Sequence, residues 1–403
     1  MTPADLEAAL LRFVNERLLS NGATGRVTAE TPLFEHGYLN SIRVLDLIAF
    51  LERTLGHRIP DRTVKLANFR SVRAIVLAFA APRAIAEPLT ERLFERRTDA
   101  TRFAAPIAGL REAGHLTEPA PGLVGLSGPP LDLIERIDAI ALAWARELGA
   151  TRHEFPALIP LDVLRRAGYL RSFPQHLTMA GHLERSDAVL TRAARDGEGV
   201  GRADLADPRE ALAPAVCYHC YPAFTGLTLG PEPVLLTARG RCFRHEPEAA
   251  APLERLRDFT MREIIVLGTF EQVESARASL LDRAMALVAL LDLDGVIEPA
   301  SDPFFGPLAE ARRTLQLAGA LKYELRLSLE SGRSVAVTSF NHHRDHFGRS
   351  FDIRLADGSV AHSGCVAFGL ERWALAILTQ HGIVGGRWPD ALRQQALEHE
   401  VSA

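Results

Sequence analysis

Lysine is nearly absent from this chain of 403 residues. Lys65 and Lys322 are the only lysines, and the rest of the 46 basic residues are arginines. With 50 acidic residues, the formal net charge at pH 7 is −4. Because proteins that bind nucleic acid over a broad surface carry a strong positive excess, this balance excludes a large nucleic-acid footprint.

Cysteine is also scarce, and long apolar runs are missing. The four cysteines, Cys217, Cys220, Cys242 and Cys365, are too few for a disulfide framework in a chain of this length. We find no secretory signal, and therefore expect a reducing, cytoplasmic environment. The longest apolar run, residues 74–82, is far shorter than the roughly 20 residues that span a bilayer.

The composition that remains is that of a folded protein. Hydrophobic residues make up 47% of the chain and charged residues 24%, which excludes a disordered or collagen-like chain. At about 150 residues per domain, the length predicts more than one domain. The first of these is a small all-α unit, because Leu6, Leu10 and Val14 recur at helical spacing and further helices are predicted over residues 41–55 and 69–80.

From residue 120 onward the pattern predicts an α+β domain. Predicted strands lie at residues 234–237, 264–268, 323–327, 335–339 and 351–355. Predicted helices lie at residues 131–148, 158–168, 270–291 and 370–380. Strands separated by loops rather than by regular crossover helices favour an antiparallel sheet flanked by helices. The predicted organisation is a domain over 1–82, a linker with a helical lead-in over 83–119, and an α+β domain over 120–403.

Ser41 opens the second predicted helix. The simplest interpretation is that Asn40 and Ser41 cap this helix. The wider pattern, however, resembles an acyl or peptidyl carrier protein over the whole first unit. The matching residues are Thr31-Pro32-Leu33-Phe34, Gly37, Ser41, the apolar positions Ile42, Leu45, Ile48 and Leu51, and Gly56.

The carrier resemblance implies a four-helix bundle in which Ser41 holds a 4′-phosphopantetheine arm, added by a phosphopantetheinyl transferase. A helix N-terminus suits the negative phosphodiester of such an arm. Two features depart from the family. Asn40 stands where carriers usually have Asp, and residues 1–82 carry a net charge of +2 where carriers are usually acidic.

A second group of residues predicts a nucleotide-binding site. Arg244 and Glu246 precede a loop, and Phe259 follows it, so a guanidinium, a carboxylate and a stacking ring are available for ATP. Taken alone, this pattern is more often a cross-strand ion pair. Together with Gly369-Leu370-Glu371-Arg372 it resembles the second and third motifs of class II aminoacyl-tRNA synthetases, which implies that Arg244 contacts the α-phosphate and Arg372 the γ-phosphate.

Within that class, residues 120–403 resemble the atypical seryl-tRNA synthetases and, more closely, the amino acid:[carrier protein] ligases. The segments that carry this resemblance include 213–219, 241–246, 262–263, 301–305, 321–324, 339–341, 347–349 and 363–365. The resemblance implies a zinc ion held by Cys217, Glu263 and Cys365. Thiolate and carboxylate ligands suit zinc, and three of them leave a position open for an α-amine. The alternatives are buried core cysteines or a local Cys217/Cys220 pair.

Further site residues follow from the same resemblance. Asn341 and Lys322 are predicted to contact the amino acid, whereas the histidines of residues 342–346 are interpreted as solvated loop residues. Related synthetases place a Glu that helps bind Mg²⁺ where this chain has Val335.

The resemblance implies a ligase that activates a small amino acid with ATP and Mg²⁺ to an aminoacyl-adenylate. The aminoacyl group then passes to the phosphopantetheine thiol of a carrier protein, fused or separate. A homodimer is expected, with neither tRNA nor a membrane as partner. The alternatives are a synthetase that charges tRNA and a binding scaffold whose carrier-like domain is never modified.

Overall fold

The computed structural model describes residues 2–18, 27–33, 41–55, 59, 66–79, 92–97, 104–196, 200–246, 251–306 and 309–393. The helices are α1 (Pro3–Phe13), α2 (Ser41–Leu55), α3 (Leu66–Phe69), α4 (Val72–Phe79), α5 (Pro106–Glu112), α6 (Pro129–Glu147), α7 (Leu161–Arg166), α8 (Tyr169–Ser172), α9 (Asp187–Asp196), α10 (Phe270–Leu290), α11 (Ala309–Ala318), α12 (His346–Phe351) and α13 (Leu370–His381). The strands are β1 (Phe94–Arg96), β2 (Leu116–Ala120), β3 (Leu123–Leu126), β4 (Thr151–His153), β5 (Leu158–Pro160), β6 (Met179–Ala180), β7 (Glu210–Leu212), β8 (Val234–Phe243), β9 (Asp258–Gly268), β10 (Gly295–Pro299), β11 (Lys322–Ser328), β12 (Ser334–Arg344) and β13 (His362–Gly369).

The chain divides into two compact units, each built from separate stretches of sequence. The first comprises Met1–Glu91 together with Pro299–Lys322, and the second comprises Arg92–Glu298 together with Tyr323–Ala403. The core of the first unit consists of Leu6, Leu10, Val14, Val27, Leu33, Leu47, Leu51, Ile59, Phe69, Val72, Ile75 and Val76, and Leu315 of α11 packs against it.

The helices of the first unit follow the predicted periodicity. Thr2 caps α1, because its hydroxyl accepts from the Asp5 N–H while the Asp5 carboxylate accepts from the Thr2 N–H. The helix predicted over 69–80 corresponds to α4, which begins three residues later than predicted, at Val72, and a separate short helix, α3, ends at Phe69. Ser71 separates α3 from α4, and its hydroxyl accepts from the Ala74 N–H at the start of α4. Among the described residues this unit contains the five α-helices α1 to α4 and α11, and the bundle arrangement remains a prediction.

The second unit is built around an eight-stranded sheet with the strand order β1-β10-β11-β12-β13-β9-β8-β4. The neighbours β12/β13, β13/β9 and β9/β8 are antiparallel, and β4 joins β8 in parallel. The prediction of an antiparallel sheet with helices is therefore confirmed. Two small sheets, β2-β3 and β5-β7-β6, lie outside the large one.

The two faces of the large sheet have different roles. Along β9, Ile264 joins the main core with residues of α6, α10 and α13, whereas Ile265 joins a second apolar cluster that contains Cys217 and Cys365. This alternation follows from the two-residue period of a strand. Helices α6, α10 and α13 thus cover one face, and the predicted metal ligands lie on the other, where α12 also packs.

Two sequence predictions are wrong in detail. Residues 351–355 were expected as a strand, but Phe351 ends α12, Asp352 has a φ of 53°, and Arg354 forms only isolated bridges. The buried side chains of Phe351 and Ile353 produce the strand-like alternation without a strand. Residues 158–168 form β5 followed by α7, not one helix. The domain boundaries near residues 82 and 119 stay predictions.

The described part of the chain contains no helix that is long and apolar enough to cross a membrane.

Candidate active site

Glu263 and Cys365 lie on neighbouring antiparallel strands. Glu263 pairs with Ala367, and Cys365 pairs with Ile265, so the two side chains are diagonal neighbours on one face of the sheet. Cys217 reaches them from a short 3₁₀ turn outside the sheet. The potential ligand atoms of Cys217, Glu263 and Cys365 all lie within 4.8 Å of one another, and all three residues are buried. The structure thus brings together the three predicted zinc ligands.

A backbone hydrogen bond holds the Cys217 turn in place. The Val216 N–H donates to Glu263 Oε1 over 2.7 Å, so the turn is fixed directly onto the strand that carries the carboxyl group. Cys220 does not join the three predicted ligands, because its thiol donates to the Cys217 carbonyl over 2.9 Å. Cys242 is fully buried in a separate apolar cluster.

The electrostatics of these three groups fit a divalent cation. The hydrogen bond with Cys365, together with burial, holds the pKa of the Cys217 thiol well above its ordinary value, and burial raises the pKa of Glu263. Glu263 Oε2 has no hydrogen-bond partner among the described residues, although the carboxyl group lies beside the thiols of Cys217 and Cys365. A bound cation would compensate the charge of two thiolates and a carboxylate, and this donor set is one that zinc prefers.

Asn341 lies beside this group. It pairs with Cys365 across β12 and β13, and its amide nitrogen lies 3.5 Å from the Cys365 sulfur and 3.0 Å from the Ser339 hydroxyl. His343 is also close, with its Nε2 3.7 Å from the Cys365 sulfur. The interpretation of residues 342–346 as a solvated loop is wrong, because residues 342–344 continue β12 and His342 is only 3% exposed.

The predicted ATP residues meet at the loop end of the β8/β9 hairpin, where Phe243 pairs with Asp258. The Arg244 guanidinium lies over the Phe259 ring, 5.4 Å from its centroid, and Arg244 Nε donates to the Pro214 carbonyl. Glu246 accepts from Arg255 over 2.7 Å. Burial alone would raise the pKa of Glu246, but the nearby Arg255 and Arg244 lower it by more. The pKa of Glu246 therefore lies below its ordinary value, and the carboxyl group is ionised at neutral pH.

Arg372 lies in the first turn of α13, close to these residues. Its Nε donates to the Glu254 carbonyl and its Nη1 donates to the Ala336 carbonyl, over 2.8 and 3.1 Å. Burial, with a contribution from Arg244, lowers the pKa of Arg372 to about 10, so it remains a cation at neutral pH. Two guanidinium groups that influence each other through space suit the successive phosphates of a nucleotide.

Two neighbours fix this end of α13. Glu371 is buried, and both of its carboxylate oxygens accept from the Thr260 N–H over 2.9 Å. Arg241 binds the Asp258 carboxylate through two nitrogens, at 2.8 and 2.7 Å. Arg241 Nη1 also lies 4.0 Å from Glu371 Oε1, so the contacts of Glu371 join the start of α13 to the β8/β9 hairpin and orient Arg372.

Lys322 has a different environment from Asn341. It belongs to the first unit, where its ammonium lies 2.6 Å from Asp302 Oδ1. Gln316 of α11 binds the same carboxylate over 2.7 Å. The structure therefore places Lys322 in a polar network of the first unit, and its predicted contact with the amino acid remains a prediction.

Ser41 is the first residue of α2. Its side chain and the preceding loop, with Gly37 and Asn40, lie outside the described residues. The observed backbone agrees with a serine at a helix N-terminus, where a phosphodiester is favoured.

His176 was missed by the sequence reasoning. It lies in the 3₁₀ turn Pro174–His176, and its Nδ1 is 3.8 Å from Glu246 Oε1. No periodicity or spacing in the sequence singles out this histidine.

Two family models match the chain. The model described as "tRNA synthetase class II core domain (G, H, P, S and T)" matches residues 204–381, and the model described as "Phosphopantetheine attachment site" matches residues 17–79. The second match includes Ser41.

Curated relatives extend the similarity. The chain is 36% identical over 301 residues to the amino acid–[acyl-carrier-protein] ligase 2 of Bradyrhizobium diazoefficiens, covering 72% of this chain and 87% of the relative. The chain belongs to the amino acid–[acyl-carrier-protein] ligase family. It is also 35% identical over 267 residues to ligase 1 of the same organism, covering 65% of this chain and 80% of that ligase. The resemblance read from the motifs is confirmed.

Similar proteins also include tRNA ligases. The chain is 29% identical over 284 residues to the type-2 serine–tRNA ligase of Methanopyrus kandleri, covering 65% of this chain and 53% of that protein. Among solved structures, the M. kandleri seryl-tRNA synthetase in complex with A. aeolicus tRNASec matches with a TM-score of 0.69 at 26% identity. That match covers 81% of this chain and 68% of the other.

Proposed function

We propose that this chain activates a small amino acid with ATP and transfers the aminoacyl group to the phosphopantetheine thiol of a carrier protein. One observation carries the proposal: a single loop, Pro214–Cys217, contacts both the predicted nucleotide residues and the predicted metal ligands. Pro214 binds Arg244 of the nucleotide group, Val216 binds Glu263, and Cys217 is itself a predicted metal ligand. A nucleotide and an amino acid bound there are neighbours.

The residues of this site suit adenylate formation. An oxygen of the amino-acid carboxylate attacks the α-phosphorus of ATP, the bond to the bridging oxygen breaks, and pyrophosphate leaves. Arg244 and Arg372 neutralise the charge that develops on the phosphate oxygens, Phe259 stacks on the adenine, and Glu246 binds its edge. The contribution of the protein is therefore mainly positioning and fixed charge.

Cys217, Glu263 and Cys365 would hold zinc, and Asn341 would face the amino acid beside them. When bound, such a zinc ion supplies an open coordination position that accepts a neutral α-amine. This preference distinguishes amino acids from simple carboxylic acids, since only the former carry the amine.

The residue at the expected Mg²⁺ position does not fit that ion. Val335 lies on β12, is 4% exposed and packs in the main core, so it offers no oxygen ligand. Mg²⁺ accompanies ATP in the proposed reaction, and no step is assigned to residues that would bind it.

The acceptor in this proposal is a carrier protein rather than tRNA. The match of residues 17–79 to the phosphopantetheine attachment model supports a carrier unit within this chain, with Ser41 as the site modified by a phosphopantetheinyl transferase. The proposed domain organisation is a carrier over 1–82, a linker over 83–119 and the ligase over 120–403. Loading proceeds on this fused carrier or on a separate one.

The test is amino-acid-dependent ATP–pyrophosphate exchange with all twenty amino acids, followed by transfer to two acceptors. We expect exchange with a small amino acid, and then acylation of the phosphopantetheinylated carrier but not of total tRNA. Charging of tRNA alone would favour the synthetase alternative. Exchange with none of the amino acids would favour the scaffold alternative.

We also propose that the ligase is a homodimer and works in the cytoplasm. The homodimer rests on the family resemblance, and the cytoplasmic location on the four free cysteines. Light scattering of the purified full chain measures the mass in solution, and a monomer at micromolar concentration would contradict the dimer.

A further inference from the structure

His343 lies beside the predicted zinc ligands without being one of them. Its Nε2 lies 3.7 Å from the Cys365 sulfur. The ligand atoms of Cys217, Glu263 and Cys365 lie within 4.8 Å of one another, and among the described residues no histidine nitrogen joins that group. His343 is therefore a neighbour of one ligand and not a fourth ligand.

Hydroxyl groups face the other nitrogen of the His343 ring. Nδ1 lies 3.3 Å from the Ser363 hydroxyl and 3.4 Å from the Tyr221 hydroxyl. The ring also packs edge-to-face against Phe347, with the centroids 4.9 Å apart, and Phe347 stacks on Tyr221 at 4.0 Å. These contacts fix the orientation of the imidazole and keep Nε2 directed at Cys365.

The chemistry of a thiolate determines which nitrogen of this ring carries the proton. A thiolate accepts hydrogen bonds but has no proton to donate, so the hydrogen between Cys365 and His343 belongs to Nε2. In the neutral imidazole, Nδ1 is then an acceptor. A hydroxyl can donate as well as accept, and the hydroxyls of Ser363 and Tyr221 therefore complement this tautomer.

The charge of the predicted ligands explains why such a hydrogen bond is needed. Two thiolates and one carboxylate carry one negative charge more than a divalent cation neutralises, and all three ligands are buried. Buried excess charge is costly unless N–H groups face it. The Val216 N–H faces Glu263, and the Asn341 amide nitrogen lies 3.5 Å from the Cys365 sulfur. His343 supplies a second side-chain donor to Cys365.

We propose that His343 is a positioning residue of the predicted zinc site, which donates a hydrogen bond from Nε2 to the Cys365 thiolate. The inference rests on the zinc ligands of the proposed function. The hydrogen bond compensates buried negative charge and withdraws charge from the sulfur. A sulfur that donates less charge leaves an open metal position more attractive to an α-amine. Partners of this kind, one step beyond the ligands, change metal affinity by roughly 10–100-fold.

The experiment replaces zinc by cobalt in the purified full chain, because cobalt gives a sulfur-to-metal charge-transfer band that reports the charge on the thiolates. H343F removes the N–H donor and keeps an aromatic ring against Phe347. H343Q restores a donor, since the Gln amide nitrogen reaches the place of Nε2. H346F is the matched control, because His346 packs against the same ring at 4.8 Å but contacts the Ala167 carbonyl and no predicted ligand. Metal content and the zinc Kd, from competition with a chelator, are measured in parallel.

We expect H343F to move the charge-transfer band to longer wavelength, because a thiolate without the hydrogen bond releases charge more readily. The band should keep its intensity, since both thiolates still bind, and the zinc Kd should rise about tenfold. H343Q and H346F should resemble the wild type. An unchanged band and an unchanged Kd in H343F would overturn the inference. A change of coordination number in the visible spectrum of H343F would also overturn it, because His343 would then be a ligand.

The outcomes distinguish this inference from the proposed function. If the wild type binds neither zinc nor cobalt, the zinc site fails and the role of His343 fails with it. If H343F behaves as expected but no amino acid supports pyrophosphate exchange, only the proposed reaction fails. Should H343F not fold, H343N and H343Q are compared, because the Asn amide is too short to reach the Cys365 sulfur. Equal bands in H343N and H343Q would then overturn the inference.

Discussion

Val216 and Glu263 are joined by a hydrogen bond of 2.7 Å that gives one carboxyl group two functions. Glu263 Oε1 fixes the turn before Cys217, and the buried Oε2 has no hydrogen-bond partner among the described residues, so it would be available to a metal ion. The carboxyl group that would ligate the metal therefore also positions one of the other ligands.

The zinc proposal predicts the effect of E263Q. The amide oxygen of Gln still accepts from the Val216 N–H, but the negatively charged ligand is lost, so the chain should fold and bind zinc at least tenfold more weakly. This estimate follows the 10–100-fold losses seen when the surroundings of a metal ligand are disturbed. Metal analysis of the purified protein is the measurement.

The control for this prediction is C242S. Cys242 is buried away from the three proposed ligands, so C242S should keep the metal content of the wild type, about one zinc per chain. Wild-type zinc content in E263Q, or equal loss in C242S, would contradict the assignment of Cys217, Glu263 and Cys365.

The nucleotide proposal predicts that R372K and R244K each lower kcat/KM for pyrophosphate exchange by about 10²–10³-fold. Lysine keeps the charge but cannot donate from several fixed nitrogens at once, and the loss of one fixed donor to a transition state is of this size. R354K is the matched control, because Arg354 pairs with Asp352 and is about half exposed. A loss in R354K as large as in R372K would indicate a general effect of charge.

The carrier proposal predicts that S41A abolishes phosphopantetheine attachment. Intact mass is measured after incubation with coenzyme A and a phosphopantetheinyl transferase, and only the wild type should gain the mass of the arm. N40D restores the residue that carriers usually have before their serine, and we expect faster modification. If S41A gains the same mass as the wild type, another residue carries the arm.

The buried His342 is expected to make the free energy of unfolding depend on pH. Burial, together with the charges of Arg277, His343 and His362, lowers the pKa of His342 to about 3, from an ordinary value of 6.5. Because the folded-state pKa is depressed, the stabilising contribution of His342 is present above pH 6.5 and is lost as the pH falls toward 3. The loss is at most about 1.4 kcal/mol per pH unit over that range.

The measurement is the free energy of unfolding of the full chain by urea between pH 4 and pH 7.5. H342N keeps an acceptor for the Arg344 N–H, which His342 Nδ1 binds over 2.9 Å, but does not titrate. The wild type should therefore lose more stability than H342N as the pH falls. H182N at the exposed histidine should follow the wild type, and parallel curves for wild type and H342N would refute the assignment.

The long helices and the sheet class could be predicted from sequence because they depend on local patterns. Apolar spacing in α1, α10 and α13 marks the face that each buries. The strand β13 could not be predicted in this way, because Ser363, Gly364 and Cys365 have little strand character alone. They are held as a strand by pairing with β12 and β9, which are distant in the sequence.

The residues of the candidate site could be predicted from the sequence only where they belong to a motif of a known family. Cys217, Glu263 and Cys365 came from the family resemblance, since nothing in their spacing indicates that a turn and two strands meet. His342 and His343 were misjudged because a cluster of polar residues is typical of a loop, whereas tertiary pairing continues β12 through them. His176 has no local signal, and only the three-dimensional contact with Glu246 reveals it.

The segment 299–322 limits how the N-terminal unit can be transplanted. Leu315 completes the packing of that unit although it lies more than two hundred residues away in sequence. A fragment that stops at residue 91 would expose the apolar surface that Leu315 covers. Transfer of this N-terminal unit to another ligase would therefore have to include residues 299–322 as well as residues 1–91. Replacement of the unit by a foreign carrier would likewise require changes in both segments.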